Sequence, residues 1–319
     1  MKIKNLKLKI GFSVIIPNFN GSEFLKTLLP SLLNAINLCP QSQFEIILVD
    51  NASTDDSLEI FHHYIQPIFP ILSTKYLALS TNQGFAGAVK VGIDKSNNDY
   101  VCLLNNDLVL DKLWFNKIAD FISKNKDKQV ATICGTVLNK EGTHIESQGL
   151  EFFPSGKAIN INNGRPILKS YFLNLKSYPV WGSSAAAVVY LKNALLKAGS
   201  YDPVFFNYLE DVDVSFRLHQ KQFKTICLPT VISYHVGGGT SSRFNYFRQY
   251  YSFRNWFFFI IKNYQFKDIL QNFPSLFIER LRNLAYLLLN CPIWLTPILP
   301  IKALLEILYY FPKLLKSYQ

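Results

Sequence analysis

Four short apolar runs constrain this chain more than any other feature: Phe12–Ile16, Phe44–Val49, Lys75–Leu79 and Tyr100–Leu104. Each has the length of a strand and ends in a polar break. Helical spacing fills the intervals. Glu23–Leu38 follows Ser22 as a candidate cap, Asp55 and Asp56 open a stretch through Tyr64, and a third stretch runs from the glycine-containing Asn82–Ala88 to about Lys95. This β-α alternation predicts an α/β domain with a doubly wound, mostly parallel sheet. Such sheets bind ligands in the crevice outside the carboxyl ends of their strands. The residues just past each run are therefore the candidates for chemistry.

The second half reads differently. Gly, Asn and Ser accumulate through Gly142–Arg165, which predicts loops, short strands and a hairpin region. Val180–Tyr190 is apolar with small residues, Lys192–Ala198 predicts a helix closed by Gly199, and Glu210–Gln220 predicts a helix with acids in its first turn. Acids there complement the helix dipole, which is one account of Glu210, Asp211 and Asp213. Beyond Gly237–Gly239 the chain turns aromatic and basic.

The net charge of +11 is unevenly placed. Residues 1–10 carry Lys2, Lys4, Lys7 and Lys9 with no acid, and residues 240–319 carry ten Lys or Arg against Asp268, Glu279 and Glu306. The span 11–239 has 19 of each sign and is neutral. A nucleic-acid reader carries its basic footprint across the folded domain, so that class is excluded. Basic, aromatic ends fit an anionic membrane surface. Asn283–Ile301 is uncharged for 19 residues but contains Pro292, Pro297 and Pro300. Interfacial or re-entrant helices are the favoured reading; a span and a soluble helical cap are the alternatives. The five cysteines form no CxxC or Cys/His cluster, so neither zinc nor a disulfide framework is expected, and Cys102 and Cys134 read as core residues in a reducing cytosol. The apolar stretch from Ile10 is short and leads straight into Pro17, which favours a first strand over a signal peptide.

Asp107 closes the triplet Asn105-Asn106-Asp107 after the fourth run. A carboxylate at that place can hold a divalent cation against a diphosphate, or simply cap an Asx-rich turn. Asp50 closes the second run and invites the same two readings.

Five segments taken together carry a resemblance: Ser13–Asn20, Glu45–Asp56, Asn82–Ala88, Leu103–Asp107 and Gly199–Arg217. In order and spacing, over about residues 11–255, the chain resembles the family 2 inverting glycosyltransferases of the GT-A fold, particularly their rhamnosyltransferase-like branch. The resemblance implies a GT-A domain over 1–239, with a nucleotide-binding half at 11–110 and an acceptor half at 130–239. The remainder, 240–319, would be C-terminal amphipathic helices that associate with membrane. It implies that Asp50 pairs with the imide of uracil or thymine. Pro17, Asn18 and Asn20 would shape the rim of the base pocket, with Asn51, Asn82, Gly84, Gly87, Asn105 and Asn106 also on the nucleotide-sugar. Lys90 stands where the family often has Asn, and is either a solvated helix residue or a phosphate contact. Asp107 would bind Mg2+ or Mn2+, with one acid of the family's pair neutralised to Asn105, and His235 would complete the metal site. Asp211 is assigned as general base, its proton affinity raised by the neighbouring carboxylate. Glu210, Trp181 and Gly182 would face the acceptor, and Arg217 would pair with Asp213. Arg254-Asn255 would approach either the donor phosphates or the membrane.

The implied partners are a dTDP- or UDP-linked sugar donor, a glycan or lipid-linked acceptor of the cell envelope, and an anionic membrane surface at which the protein would sit peripherally on the cytoplasmic side. Two other classes compete. A nucleotidyltransferase would want a basic, Gly-rich loop after the first strand, and Pro17–Gly21 holds no Lys or Arg. A non-catalytic carbohydrate-binding or scaffolding protein would account for Asn105.

Overall fold

The computed structural model describes residues 9–68, 72–167, 175–237, 245–295 and 298–316. Lys2, Lys4, Lys7, Gly238 and Gly239 lie outside the described residues.

Strands β1 (Gly11–Asn18), β2 (Gln43–Asp50), β3 (Ser73–Ala78) and β4 (Tyr100–Leu104) alternate with helices α1 (Ser22–Asn37), α2 (Ser57–Ile65) and α3 (Gly84–Lys95). They pair in parallel in the order β4-β1-β2-β3. Side chains of successive strand residues point to opposite faces. Phe12, Val14 and Ile16 therefore join one core with Phe44, Ile46 and Leu48, whereas Ile15, Ile47 and Val49 join another. Both faces are covered, which is why the runs are continuously apolar and not alternating.

The chain continues through β5 (Leu108–Leu110), α4 (Trp114–Lys124), β6 (Val130–Asn139), β7 (Ile145–Ser147), the hairpin β8 (Leu150–Phe152) and β9 (Ala158–Asn160), and β10 (Tyr178–Val180). Then come β11 (Ala187–Leu191), α5 (Lys192–Lys197), α6 (Glu210–Gln220) and β12 (Lys224–His235). The main sheet runs β10-β12-β6-β11-β4-β1-β2-β3 among the described residues. Four of its seven neighbouring pairs are parallel, so the α/β, mostly parallel class holds. Strand β11 lies antiparallel to both β4 and β6 and joins the two halves. Nothing local marks its direction, because the pairing is with residues more than 50 positions away.

One local expectation is corrected. Ser22 does not cap α1; it is already helical, and its N–H donates to Asp55 Oδ2 at 2.9 Å. A carboxylate from the β2–α2 loop thus satisfies the helix start, because Gly21 before it has no side chain to offer.

Helices α7 (Asn245–Asn263), α8 (Phe266–Asn290) and α9 (Ile298–Lys316) follow. The uncharged stretch 283–301 is broken: α8 ends at Asn290, a single turn covers Ile293–Leu295, and α9 starts at Ile298. No helix is long and apolar enough to cross a membrane among the described residues. Trp256, Phe258 and Phe259 of α7 share a core with Leu150, Phe205 and Val212.

Candidate active site

Strand ends β1, β2 and β4 converge, and the polar residues beyond them interlock. Asn18 and Asp50 are register partners across β1 and β2. Asn18 Nδ2 donates to Ser57 Oγ at 2.9 Å, while its Oδ1 accepts from Asn106 Nδ2 at 2.8 Å. This bond brings the first and fourth motifs together. Gly21 is required beside it, since a Cβ there would lie 2.1 Å from Asn106 Nδ2 and 2.4 Å from Asn18 Oδ1. Pro17 is the penultimate residue of β1. Asn20 holds a positive φ of 49° and accepts from the Thr54 N–H at 2.8 Å.

Asp50 is buried and accepts at Oδ2 from the Tyr76 hydroxyl at 2.9 Å; its Oδ1 has no partner among the described residues. Asn51 donates to Asn82 Oδ1 and to the Gly84 carbonyl and accepts from Gln83 N–H, which ties the second motif to the third. Gly84 is needed for a reason the sequence did not show. Its φ is +73°, and a Cβ would lie 2.3 Å from the Phe206 carbonyl oxygen, so the close approach is to the loop before α6. A Cβ on Gly87 would meet the Gln83 side chain at 2.7 Å. Lys90 pairs with Asp94 on the exposed face of α3, the solvated alternative.

The metal candidates meet. Asp107 Oδ2 lies 3.1 Å from His235 Nε2, and the Val236 N–H donates to the Asp107 carbonyl. The end of β12 is held there by its pairing with β5, His235 opposite Leu108. Glu146 contacts His235 Nδ1 at 2.7 Å and orients the ring from behind, as carboxylates do for metal-binding histidines. Hydrogen bonds to Asp107 and to Glu146 raise the imidazole to about 10, against the effect of burial. Asp107 Oδ1 is buried without a partner among the described residues, and a carboxylate with an imidazole suits Mn2+ better than Mg2+. Among the described residues no group of three or more His, Cys, Asp or Glu is arranged to hold a metal ion by itself. Asp107 and His235 fit such an ion only if a ligand supplies further oxygens.

Three acids at the start of α6 have three environments. Asp213 is fully buried and accepts from Arg217, Lys262 and Asn263. Burial would raise its pKa, but the Arg217 and Lys262 charges hold it below the ordinary value. Glu210 is buried with Oε2 unpartnered. Burial, then the Asp211 charge, push its pKa well up. Asp211 is half-buried and accepts from the N–H groups of Ala185 and Val212. Its proton affinity is raised by burial, against those two bonds. Both acids of the pair are thus pushed up, Glu210 by burial and the Asp211 charge, Asp211 by burial. Ala186 next to that bond accepts from the Asn105 N–H at 2.8 Å, so the acid pair and the Asn105–Asp107 triplet share one short segment of backbone.

Trp181 stacks on Phe152 at 4.3 Å and 11° and is partly exposed. Gly182 leaves room for α6, since a Cβ would lie 2.6 Å from Ser215 Cβ. Arg254 and Asn255, expected at the donor phosphates or the membrane, are both buried against backbone carbonyls of residues 204–208. Sequence reasoning also missed Tyr76 and Glu146. No local pattern marks either one, because their partners lie 26 and 89 residues away.

The model of the family described as Glycosyl transferase family 2 matches residues 13–173, just over half of the chain. A dolichyl-phosphate beta-glucosyltransferase of Dictyostelium discoideum is 28% identical over 137 residues, 42% of this chain and 42% of that protein. A poly(ribitol-phosphate) beta-N-acetylglucosaminyltransferase, TarS of Staphylococcus aureus, is 31% identical over 115 residues, 36% of this chain and 19% of that protein. The chain thus spans less than half the length of these relatives. The crystal structure of GalNAc-T7 with UDP, GalNAc and Mn2+ aligns with a TM-score of 0.59 at 17% identity, covering 80% of this chain and 48% of that one, which supports the fold alone. The family match spans the motifs that end β1, β2 and β4, and on that ground this chain belongs to glycosyltransferase family 2.

Proposed function

We propose that the protein transfers one sugar from a dTDP- or UDP-linked donor to a hydroxyl of a cell-envelope or lipid-linked glycan, with inversion at the anomeric carbon. One observation carries the reading. Four buried carboxylate or amide oxygens in the motif segments lack a hydrogen-bond partner among the described residues: Asp50 Oδ1, Asn105 Oδ1, Asp107 Oδ1 and Glu210 Oε2. Native proteins seldom leave such atoms unsatisfied, and their recurrence in three motif segments is what a ligand supplying the missing groups would account for.

The free oxygen of Asp50 suits a single imide N–H, as in uracil or thymine. Tyr76 already occupies the other oxygen, which disfavours the two adjacent donors of guanine. Asp107 and His235 would hold Mg2+ or Mn2+ against the donor diphosphate, where the cation would offset charge on the leaving phosphate. Asp211 takes the proton of the acceptor hydroxyl as its oxygen bonds to the anomeric carbon. The bond from that carbon to the diphosphate breaks, and the nucleoside diphosphate leaves with the electron pair. Burial and the Asp211 charge favour a proton on Glu210, which would leave Asp211 to accept the one from the hydroxyl. Trp181 offers its outer face to the acceptor sugar.

The C-terminal part, residues 240–319, would rest on an anionic membrane surface on the cytoplasmic side. Phe266, Leu270, Phe273, Phe277 and Leu281 are all exposed at helical spacing on α8. Ile301, Leu305, Leu308 and Leu315 repeat the pattern on α9. Exposed Lys267, Arg282, Lys302 and Lys313 complement anionic headgroups. The attraction is smaller than net charge suggests, because Arg254 and Lys262 are internal.

A donor screen tests the reading. Nucleoside diphosphate release would be followed with dTDP-rhamnose, UDP-hexoses and GDP-mannose, with Mn2+ or Mg2+ and envelope glycan as acceptor. Release from a pyrimidine donor, and loss of it in Asp107→Asn, is expected. Release from GDP-mannose alone would overturn the base assignment, and release from none would overturn the transferase reading.

A further inference from the structure

The loop between the short turn Pro203–Phe205 and α6 is unusual in its backbone. Phe206, Tyr208 and Leu209 hold φ of 62°, 70° and 66°, although none is glycine. Such conformations persist only where the surroundings over-determine them. Here the rings of Phe247 and Tyr251 pack against Phe206, and two polar side chains of α7 hold the loop carbonyls. Asn255 Nδ2 lies 2.7 Å from the Phe205 carbonyl oxygen, 2.8 Å from that of Asn207 and 2.8 Å from that of Tyr208. Arg254 Nη2 adds bonds to the Val204 and Phe205 carbonyls at 3.2 and 2.9 Å. Arg254 Nε donates to Asn255 Oδ1 at 2.8 Å, which fixes which end of the amide faces the loop. Glu306 of α9 holds Arg254 Nη1 at 2.5 Å. Arg254 and Asn255 are 5% and 0% exposed, so water does not compete for these bonds.

What the loop carries gives this arrangement its meaning. Leu209 immediately precedes Glu210 and Asp211, and its carbonyl accepts from the Asp213 N–H at 2.9 Å. On the other side, the Phe206 carbonyl accepts from the Ala86 N–H at 3.0 Å in the first turn of α3. That turn begins at Gly84, whose carbonyl Asn51 holds. One loop therefore sets the acid pair relative to the donor side of the crevice. A neutral double donor is the side chain suited to several converging carbonyls. A carboxylate of the same shape would place acceptors against acceptors.

We propose that Asn255 is a positioning residue. Oriented by Arg254, and through it by Glu306, it fixes the loop at 204–209 so that Asp211 meets the acceptor hydroxyl in one geometry. The inference rests on the transferase reading for its kinetic consequence, but the clamp itself does not.

The full-length protein tests both. Asn255→Ala and the milder Glu306→Gln would be compared with wild type for thermal melting and UDP affinity. Turnover of a UDP- or dTDP-sugar would be followed across pH, and hydrogen exchange at the Ala86 and Asp213 amides would be measured. Misplacement of a reacting group by about 1 Å can cost about 10²-fold in rate. Asn255→Ala should therefore lose about 10²-fold in turnover, hold UDP within about threefold of wild type, shift the acidic limb of its pH profile, and exchange both amides about tenfold faster. A folded Asn255→Ala with wild-type turnover, or with a pH profile and exchange that do not move, overturns the proposal. If Asn255→Ala does not fold, Glu306→Gln decides: faster exchange at both amides supports the clamp, and unchanged exchange overturns it. If wild type releases no nucleoside diphosphate from any donor, the transferase reading fails, while the exchange measurement still decides the clamp.

Discussion

Two acids two positions apart on α6 should respond in opposite ways to neutralisation. Asp213 is the shared partner of Arg217 and Lys262, with side-chain exposures of 0%, 12% and 4% for the three groups. Removing one member of a buried ion pair costs about 3–5 kcal/mol, because the remaining charge is left uncompensated. Both cations keep other partners. Lys262 retains Asp202 at 2.7 Å, and Arg217 retains the Ala198 and Ser200 carbonyls. The loss for Asp213→Ala is therefore set at the low end, about 3 kcal/mol, or a fall in Tm of about 6 °C at the sensitivity of a large domain. Asp211 has no cation, and its charge is disfavoured by burial. Asp211→Asn should melt within about 1 kcal/mol of wild type, or above it.

The pH dependence separates them further. Asp213 has a folded pKa below its ordinary 3.8. Its contribution is complete above that ordinary value and is lost as pH falls through the folded one, so the deficit of Asp213→Ala shrinks in acid. Asp211 has a folded pKa above 3.8, so the folded state holds its proton more tightly than the unfolded chain does. Wild type then loses stability as pH rises from about 4 through the folded value, and Asp211→Asn gains on it over that window. Urea melts of the three proteins from pH 3 to pH 8 measure this. Equal destabilisation by both substitutions at pH 7, or a deficit in Asp213→Ala that grows in acid, would refute the division of roles.

Other outcomes follow from the same geometry. Asp211→Asn should lower turnover by about 10²–10⁴-fold, the usual scale of general-base catalysis, with donor affinity retained; equal loss of UDP binding by calorimetry would point to a structural role. Asp107→Asn should abolish turnover and weaken Mn2+ binding in the presence of UDP while melting normally, and near wild-type turnover would remove the metal assignment. Gly84→Ala places a Cβ 2.3 Å from the Phe206 carbonyl at a positive φ, so it should destabilise by more than about 1 kcal/mol in a urea melt. Phe273→Glu with Leu281→Glu changes two exposed side chains, each contributing about 1.5–3 kcal/mol if buried in lipid. The double variant should sediment with anionic vesicles far less than wild type and melt unchanged, and equal sedimentation would show that α8 is not the contacting face.

How much of this was legible depends on the range of the interaction. The first four strands were readable to within two residues at each end and helix α6 to the residue, because apolar periodicity and first-turn acids are local signals. The cap of α1 was misread because its acceptor, Asp55, comes from another loop. The direction of β11 and the pairing of His235 with Glu146 depend on distant chain and have no local trace. Charge was readable as a count and misleading as a location. Arg254 and Lys262 entered the basic C-terminal total, yet both point inward and hold carbonyls or acids.

The acids of α6 show the same limit at the scale of a single turn. Glu210, Asp211 and Asp213 look interchangeable along the chain, and all three suit a helix start. Depth and partners divide them. Asp213 faces Lys262 and Arg217, whose charges hold its pKa down; Glu210 is buried with no cation against it among the described residues, and its pKa is pushed well up; Asp211 stays half-open beside Ala185. A base must be reachable, ionised and of raised proton affinity; of the three acids only Asp211 is partly open and has its proton affinity raised. Asp213 supplies the fixed point from which that geometry is measured, because its bonds to α7 pin the same helix that Asn255 approaches from the loop side. Helix α7, basic and aromatic in sequence, thus sets where the acid pair stands.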